Sequence, residues 1–187
     1  DFEWGLEAAI EATRWVATLP MPEFTCDYNF VALSHPDEYP FNEGDVASSR
    51  HGTVSVVDYE RHYAETHVAR STALHSETLP GREHYHVGPL ARLAHNRDRL
   101  AEPARRLADE LGFESPCRNP FRSIIARGIE LTHAYAEALD ILRYPPVARP
   151  ARIAYSHRVG EGCAATEAPR GLIYHRYKID EAGWIVF

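Results

Sequence analysis

Between Gly160 and Asp180 the chain strings together a thiol, a carboxylate, a guanidinium, two phenols and an imidazole: Cys163, Glu167, Arg170, Tyr174, His175 and Tyr177. Arg170 stands between Pro169 and Gly171. Proline removes a backbone donor and biases Ala168 away from helix, while glycine lets the chain turn closely, so this guanidinium is carried on a turn that aims it. An aimed guanidinium can stabilise developing negative charge. The plainer reading, a turn whose arginine makes a surface ion pair, stands beside it.

Other candidates are weaker. His84 and His86 share one face of an extended segment, a spacing that can hold a metal, with His75 as a conceivable third ligand. With 11 histidines in the chain, such a pair arises readily by chance, which is the preferred reading. His62 and His67 are five apart and share no helical face. His175 falls on the same face as Ile173, Tyr177 and Ile179, which predicts a buried structural histidine rather than a base. The three cysteines, Cys26, Cys117 and Cys163, are widely spaced with no Cys-x-x-Cys pair. Cys26 reads as a small core residue.

The elements that must position these groups follow from hydrophobic period. Residues 2–19 place Phe2, Leu6, Ala9, Ile10, Thr13, Val16 and Ala17 on one helical face, stopped at Pro20. Trp4 and Trp15 lie beside that stripe, and core packing is the simpler expectation for them. Alternation of Phe24, Cys26, Tyr28 and Phe30 predicts a half-buried strand from Glu23. Strands around Val46 and Val54 to Val57 pair as a hairpin across Arg50-His51-Gly52. A short exposed helix over 58–66 and a strand through Val68 to Leu74 are expected next.

Gly88-Pro89 opens a helix to about Arg99, and a second runs from Glu102 to Leu111 and closes at Gly112. The arginines 92, 97, 99, 105 and 106 alternate with acids, which reads as a solvated face. Asn119-Pro120 caps a long central helix whose stripe is Phe121, Ile124, Ile125, Gly128, Thr132, Tyr135, Ala136, Leu139 and Leu142. Gly128 on that stripe predicts close approach of another helix. After the linker Pro145 to Pro150, strands are expected at Arg152 to Ser156 and in a hairpin from Leu172 to Phe187 turning around Asp180 to Gly183. The fold class is therefore α+β: a helical core around one long central helix with small antiparallel sheets. The 187 residues divide into a 1–20 helix, a β-rich 23–88 part, helices over 89–144 and antiparallel strands over 151–187, all within one domain-sized fragment.

With 44% hydrophobic and 25% charged residues, the chain is globular in composition. A formal net charge of −7 and the lack of a basic stripe exclude a nucleic-acid binder. No apolar run approaches the roughly 20 residues that cross a bilayer, so no membrane insertion is expected, and the sparse cysteines suit a reducing, cytoplasmic setting. Helical periodicity starts at the first residues and the chain stops in the apolar run Trp184-Ile185-Val186-Phe187, the pattern expected of a piece excised from a longer polypeptide.

Thr166-Glu167-Ala168-Pro169-Arg170-Gly171 followed by Leu172-Ile173-Tyr174-His175-Arg176-Tyr177 resembles the C-terminal part of nickel-iron hydrogenase large (alpha) subunits. Asp27-Tyr28, Pro36 to Pro40, Tyr85 to Leu93, Asn119-Pro120-Phe121 and Ala126-Arg127 extend the resemblance in the same order over most of the chain, closest to the soluble cytoplasmic branch. The resemblance implies a parent that reversibly oxidises dihydrogen at a nickel-iron centre and passes electrons through an iron-sulfur small subunit to nicotinamide, deazaflavin or sulfur-linked carriers. It implies that Ala168 and Pro169 line the iron's diatomic-ligand pocket, that Arg170 is the catalytic guanidinium over the open side of the metals, and that Glu167 orients Arg170.

The family's metals are held by two Cys-x-x-Cys motifs, and this sequence contains neither, so no metal is expected in the segment itself, which should be inactive alone. Two alternatives remain: a metal-less quinone-reductase-type core subunit of a respiratory complex, distinguished by the lack of those cysteines in the whole gene product, and a noncatalytic assembly module, distinguished by metal-free partner binding.

Overall fold

Small residues decide how the two longest helices meet. The computed structural model describes residues 1–145 and 150–187; the middle of the expected linker lies outside them. Helix α1 (Phe2–Ala17) buries Gly5, Ala9 and Thr13, one small residue per turn, against α5 (Ser123–Arg143). A Cβ at Gly5 would stand 2.5 Å from the Tyr135 ring, and one at Gly128 would stand 2.2 Å from Thr13 Oγ1. Gly128 thus admits the neighbouring helix as its position predicts. The predicted stripes are partly displaced, however. Phe2, Phe121, Ile124 and Leu142 are exposed, whereas Ile129, Glu130 and His133 are buried. Trp4 and Trp15 are 74% and 63% exposed, against the expectation of core packing.

Strand β1 (Val31–Ser34) pairs antiparallel with β2 (Asp45–Ser48), which pairs with β3 (Gly52–Val54). The expected hairpin is present, with Val46 opposite Val54, but its second strand is Gly52–Val54 and the residues expected to continue it, Val56 and Val57, form a 3-10 turn. The strand expected from Glu23 starts instead at the Phe30 bridge, and the residues before it are irregular. Alternation along β1 serves two cores. Phe30 and Ala32 face a helical core with Leu90, Leu93, Ile125 and Ile129, and Val31 and Leu33 face a smaller one with Val46, Tyr63 and Ala165. The predicted helix over 58–66 shrinks to one turn, α2 (Tyr59–His62), because β4 (Tyr63–Thr66) pairs with β5 (His75–Thr78); Val68 to Leu74 connects them and is not a strand.

Helices α3 (Pro89–Asn96) and α4 (Glu102–Glu110) form where proline starts them, and Gly112 closes α4 in the left-handed region. Asn119 Oδ1 accepts the Phe121 N–H at 3.0 Å, as its cap role predicts. β6 (Gly160–Ala168) pairs with β7 (Gly171–Ile179) along their full length. The stretch before Leu172 is therefore itself a strand, and the main hairpin turns at Pro169-Arg170. Arg152 to Ser156 is irregular and exposed. The Asp180 to Gly183 turn is present, with a short return that bridges Ile179 to Ile185. The described residues form an α+β fold: helices around α5, flanked by three small antiparallel sheets.

Gly128→Ala should lower the unfolding free energy by about 1–3 kcal/mol through overpacking, despite a gain of roughly 1 kcal/mol in helix propensity. Thr13→Ala should recover part of the loss in the double variant. Urea unfolding of the three proteins measures both effects.

Candidate functional site

The Pro169-Arg170 turn docks on the start of α3. Gly88 has φ +91° and a Cβ there would stand 2.8 Å from the Arg170 carbonyl oxygen; Gly171 has φ +146° and its Cβ would stand 2.5 Å from Val87 Cγ2. Only glycine at both positions allows so close an approach of the two backbones. The helix that begins at Pro89 then places Arg92 beneath the turn.

Among the described residues Arg92 is the largest fully buried side chain, 1% exposed. Its Nε and Nη2 donate to Glu130 Oε1 and Oε2 at 2.6 and 2.8 Å, a two-pronged pair with α5. Nη1 donates to Glu167 Oε2 at 2.9 Å and to the Ala168 carbonyl at 2.8 Å, and Nη2 reaches the Pro169 carbonyl at 3.3 Å. Glu167 Oε1 accepts the Leu33 N–H at 2.9 Å, which carries the network into β1. Tyr39 Oη donates to Glu130 Oε1 at 2.7 Å. From outside, Arg127 Nη1 donates to the Pro169 carbonyl at 3.1 Å.

The electrostatics follow from burial and pairing. Burial works against the Arg92 charge, but the hydrogen bonds and charges of Glu130 and then Glu167 outweigh it, and the guanidinium pKa ends above its ordinary value. Burial above all raises the Glu167 carboxyl, opposed by the Leu33 N–H and Arg92. Both of its oxygens face N–H donors, the geometry of a carboxylate. Burial and the neighbouring Glu130 push the Tyr39 phenol well up, so it stays a donor. Beside Tyr39, at 4.8 Å between rings, burial lowers His133 to about 4, slightly opposed by Glu130. Neutral His133 accepts the Ala101 N–H on Nδ1 at 3.0 Å.

The predicted site residues are thus partly brought together. Ala168 and Pro169 line a groove of about 450 Å³ with Phe41, Arg127, Leu131 and Ala134, floored by Arg92, Glu130 and Glu167. Arg170 is exposed at the turn and, among the described residues, makes no ion pair. Glu167 does not orient it, because the carboxylate is taken by Arg92 and Leu33. Arg92 itself corrects the solvated-face reading. Arg97, Arg99 and Arg106 do make surface pairs with Asp109, Asp98 and Glu102, but Arg92 points into the core. Its signal was the apolar run around it, Leu90-Ala91 before and Leu93-Ala94 after.

The histidines serve packing or solvent. His86 lies against Tyr28 and Phe30, at 4.5 and 5.8 Å between rings, and burial lowers its pKa. His84 is exposed, with its ring edge-to-face with His75 at 6.0 Å. His175 shares its face with Ile173, Tyr177 and Ile179 as expected, but that face is exposed. Cys117 is buried in the helical core. Among the described residues no three His, Cys, Asp or Glu side chains gather as a metal site.

This arrangement is a hydrogenase large-subunit-like fold. The chain superposes on the NAD+-reducing [NiFe]-hydrogenase in its H2-reduced state with a TM-score of 0.75 at 22% identity, covering 100% of this chain and 45% of that one. The Ni-Fe-Se hydrogenase from D. vulgaris Hildenborough in the reduced state matches at a TM-score of 0.51 and 15% identity, over 96% of this chain and 45% of that one. In sequence the chain is similar to an iron-sulfur subunit of the F420-non-reducing hydrogenase of Archaeoglobus profundus, 36% identical over 104 residues, 53% of this chain and 21% of that protein. It is also similar to the alpha subunit of sulfhydrogenase 1 of Pyrococcus furiosus, 29% identical over 124 residues, 65% of this chain and 28% of that protein. The matches thus span under a third of these curated relatives and under half of the solved chains. No family model matches.

A depressed histidine pKa stabilises the fold above the unfolded value near 6.5, and that stability is lost as pH falls toward the folded value of about 4. Wild-type unfolding free energy should therefore fall between pH 6.5 and 4 by up to about 3 kcal/mol from this group. His133→Asn, which keeps an acceptor for Ala101, should flatten that part of a denaturant-derived pH profile.

Proposed function

We propose that this chain is part of a hydrogenase large subunit whose parent interconverts dihydrogen with protons and electrons at a nickel-iron centre, in the cytoplasm and beside an iron-sulfur small subunit. The observation that carries the reading is the clamped Ala168-Pro169-Arg170 turn, set in a fold shared along the whole chain with a [NiFe]-hydrogenase. Similarity to two named hydrogenase subunits supports it.

The residues present do not form a nickel-iron ligand set: the three cysteines are separate, with Cys117 in the helical core and Cys163 directed at the Val56 carbonyl. Ligands for the centre must come from residues beyond these 187. This chain contributes the setting instead. Ala168 and Pro169 wall the groove, and Arg170 presents a cation from a turn whose preceding carbonyls are held by Arg92 and Arg127, so negative charge nearby meets a guanidinium carried on an anchored backbone. The guanidinium's high pKa favours this electrostatic role over proton transfer.

Plasma mass spectrometry of nickel and iron in the longest native gene product, beside the 187-residue chain, tests the assignment. About one nickel with iron in the long form and neither in the short form is expected. A long form that lacks both metals and the cysteine pairs would instead identify a quinone-reductase-type or assembly subunit. In the metal-replete parent, Arg170→Lys should lower kcat on the order of 10²-fold at unchanged metal content; wild-type turnover would remove the special role of the guanidinium.

A further inference from the structure

Arg170 is exposed at the tip of a hairpin whose far end stands free, yet its turn is tied to the core. The carbonyls of Ala168 and Pro169 both accept from Arg92, and Pro169 also accepts from Arg127. We propose that Arg92 is the positioning residue for the Ala168-Pro169-Arg170 turn, through a guanidinium locked on two carboxylates and two turn carbonyls. The significance for catalysis rests on the hydrogenase reading; the positioning itself does not.

Three features make Arg92 suited to this. A guanidinium offers five N–H donors in a rigid fork, and here five bonds leave it: two to Glu130, one to Glu167, one to Ala168 and one to Pro169. Its anchors lie on other elements, Glu130 on α5 and Glu167 on β6, with Glu167 held in turn by the Leu33 N–H. Asn96, one turn further along α3, donates to both the Arg92 and Leu33 carbonyls, at 3.1 and 2.8 Å, and so fixes the helix against β1. The turn is therefore referred to three elements of the core and not to its own strands alone. A lysine, with three donors on one atom, cannot span these acceptors.

Amide hydrogen exchange in the metal-free chain tests this without reference to turnover. In wild type the Gly171 amide should exchange at least tenfold more slowly than Gly160 at the far end of the same hairpin. In Arg92→Ala the Gly171 amide should exchange at least tenfold faster while those of α1 change less than threefold. Millimolar methylguanidinium should restore the protection, and equal methylammonium should not. Arg92→Lys should resemble Arg92→Ala.

Unchanged turn protection in a folded variant would overturn the proposal. So would uniform acceleration across the chain, or equal rescue by the two cations, since either marks general destabilisation. Should neither variant fold, a wild-type Gly171 no slower than Gly160 is enough to overturn it, and the ordered tenfold difference sustains it. A parent protein that lacks both the metals and the cysteine pairs would refute the hydrogenase reading and leave these rates untouched.

Discussion

A cation buried at 1% exposure is the constraint around which the rest of this structure is arranged. Removing a guanidinium from water costs several kcal/mol, and its attraction to carboxylates offsets that only when geometry is good and every donor is used. Arg92 meets the condition by drawing one carboxylate from α5 and one from β6, and by taking two backbone carbonyls of the turn. Elements 38 and 75 residues away in sequence are thereby brought to one point. Tyr39 and the Leu33 N–H complete the coordination of the carboxylates, so the network also sets where β1 and its following loop lie.

The consequence for β6 and β7 is a gradient. Near the turn, Ala165 is buried in the smaller core and Glu167 lies beneath α3. Toward Gly160 and Ile179 both strands become exposed, and Tyr177, Ile179 and Trp184 stand open. Local stability follows buried contacts and protected hydrogen bonds, so the ordered end of this hairpin is the end that carries Arg170. The helical pair α1 and α5 supplies the other rigid reference, held at close range by Gly5 and Gly128. Its outer face, with Trp4, Trp15 and Ile141, remains uncovered.

Much of this was legible from local pattern. Proline and asparagine marked the starts of α3, α4 and α5, glycine marked the end of α4 and the close α1–α5 contact, and Val46 and Val54 on either side of Arg50-His51-Gly52 marked the β2–β3 hairpin. The turn at Arg170 was visible from Pro169 and Gly171. Its support was not, because a charged residue reads as solvated unless its distant partners are known; the partners of Arg92 are set by tertiary packing. β6 was missed as a strand because its Gly, Ala and Glu carry little β-propensity, with Thr166 its one β-branched residue, and only pairing with β7 extends it. The face of β7 bearing His175 was assigned correctly, but period alone cannot say which face of a two-stranded ribbon meets a core. Resemblance placed Glu167 beside Arg170, and the geometry gives its carboxylate to Arg92.

The Ala168-Pro169-Arg170 turn is thus maintained by residues of the chain itself, in a segment that contains no metal ligand set among its described residues. The most direct measurement of that account is the coupling between Arg92 and Glu167 in a double-mutant cycle, from urea unfolding of wild type, Arg92→Met, Glu167→Gln and the double variant at pH 7. A coupling above about 2 kcal/mol is expected for a buried, hydrogen-bonded charge pair. Additivity within about 0.5 kcal/mol would contradict the claim that this ion pair holds the turn to the core.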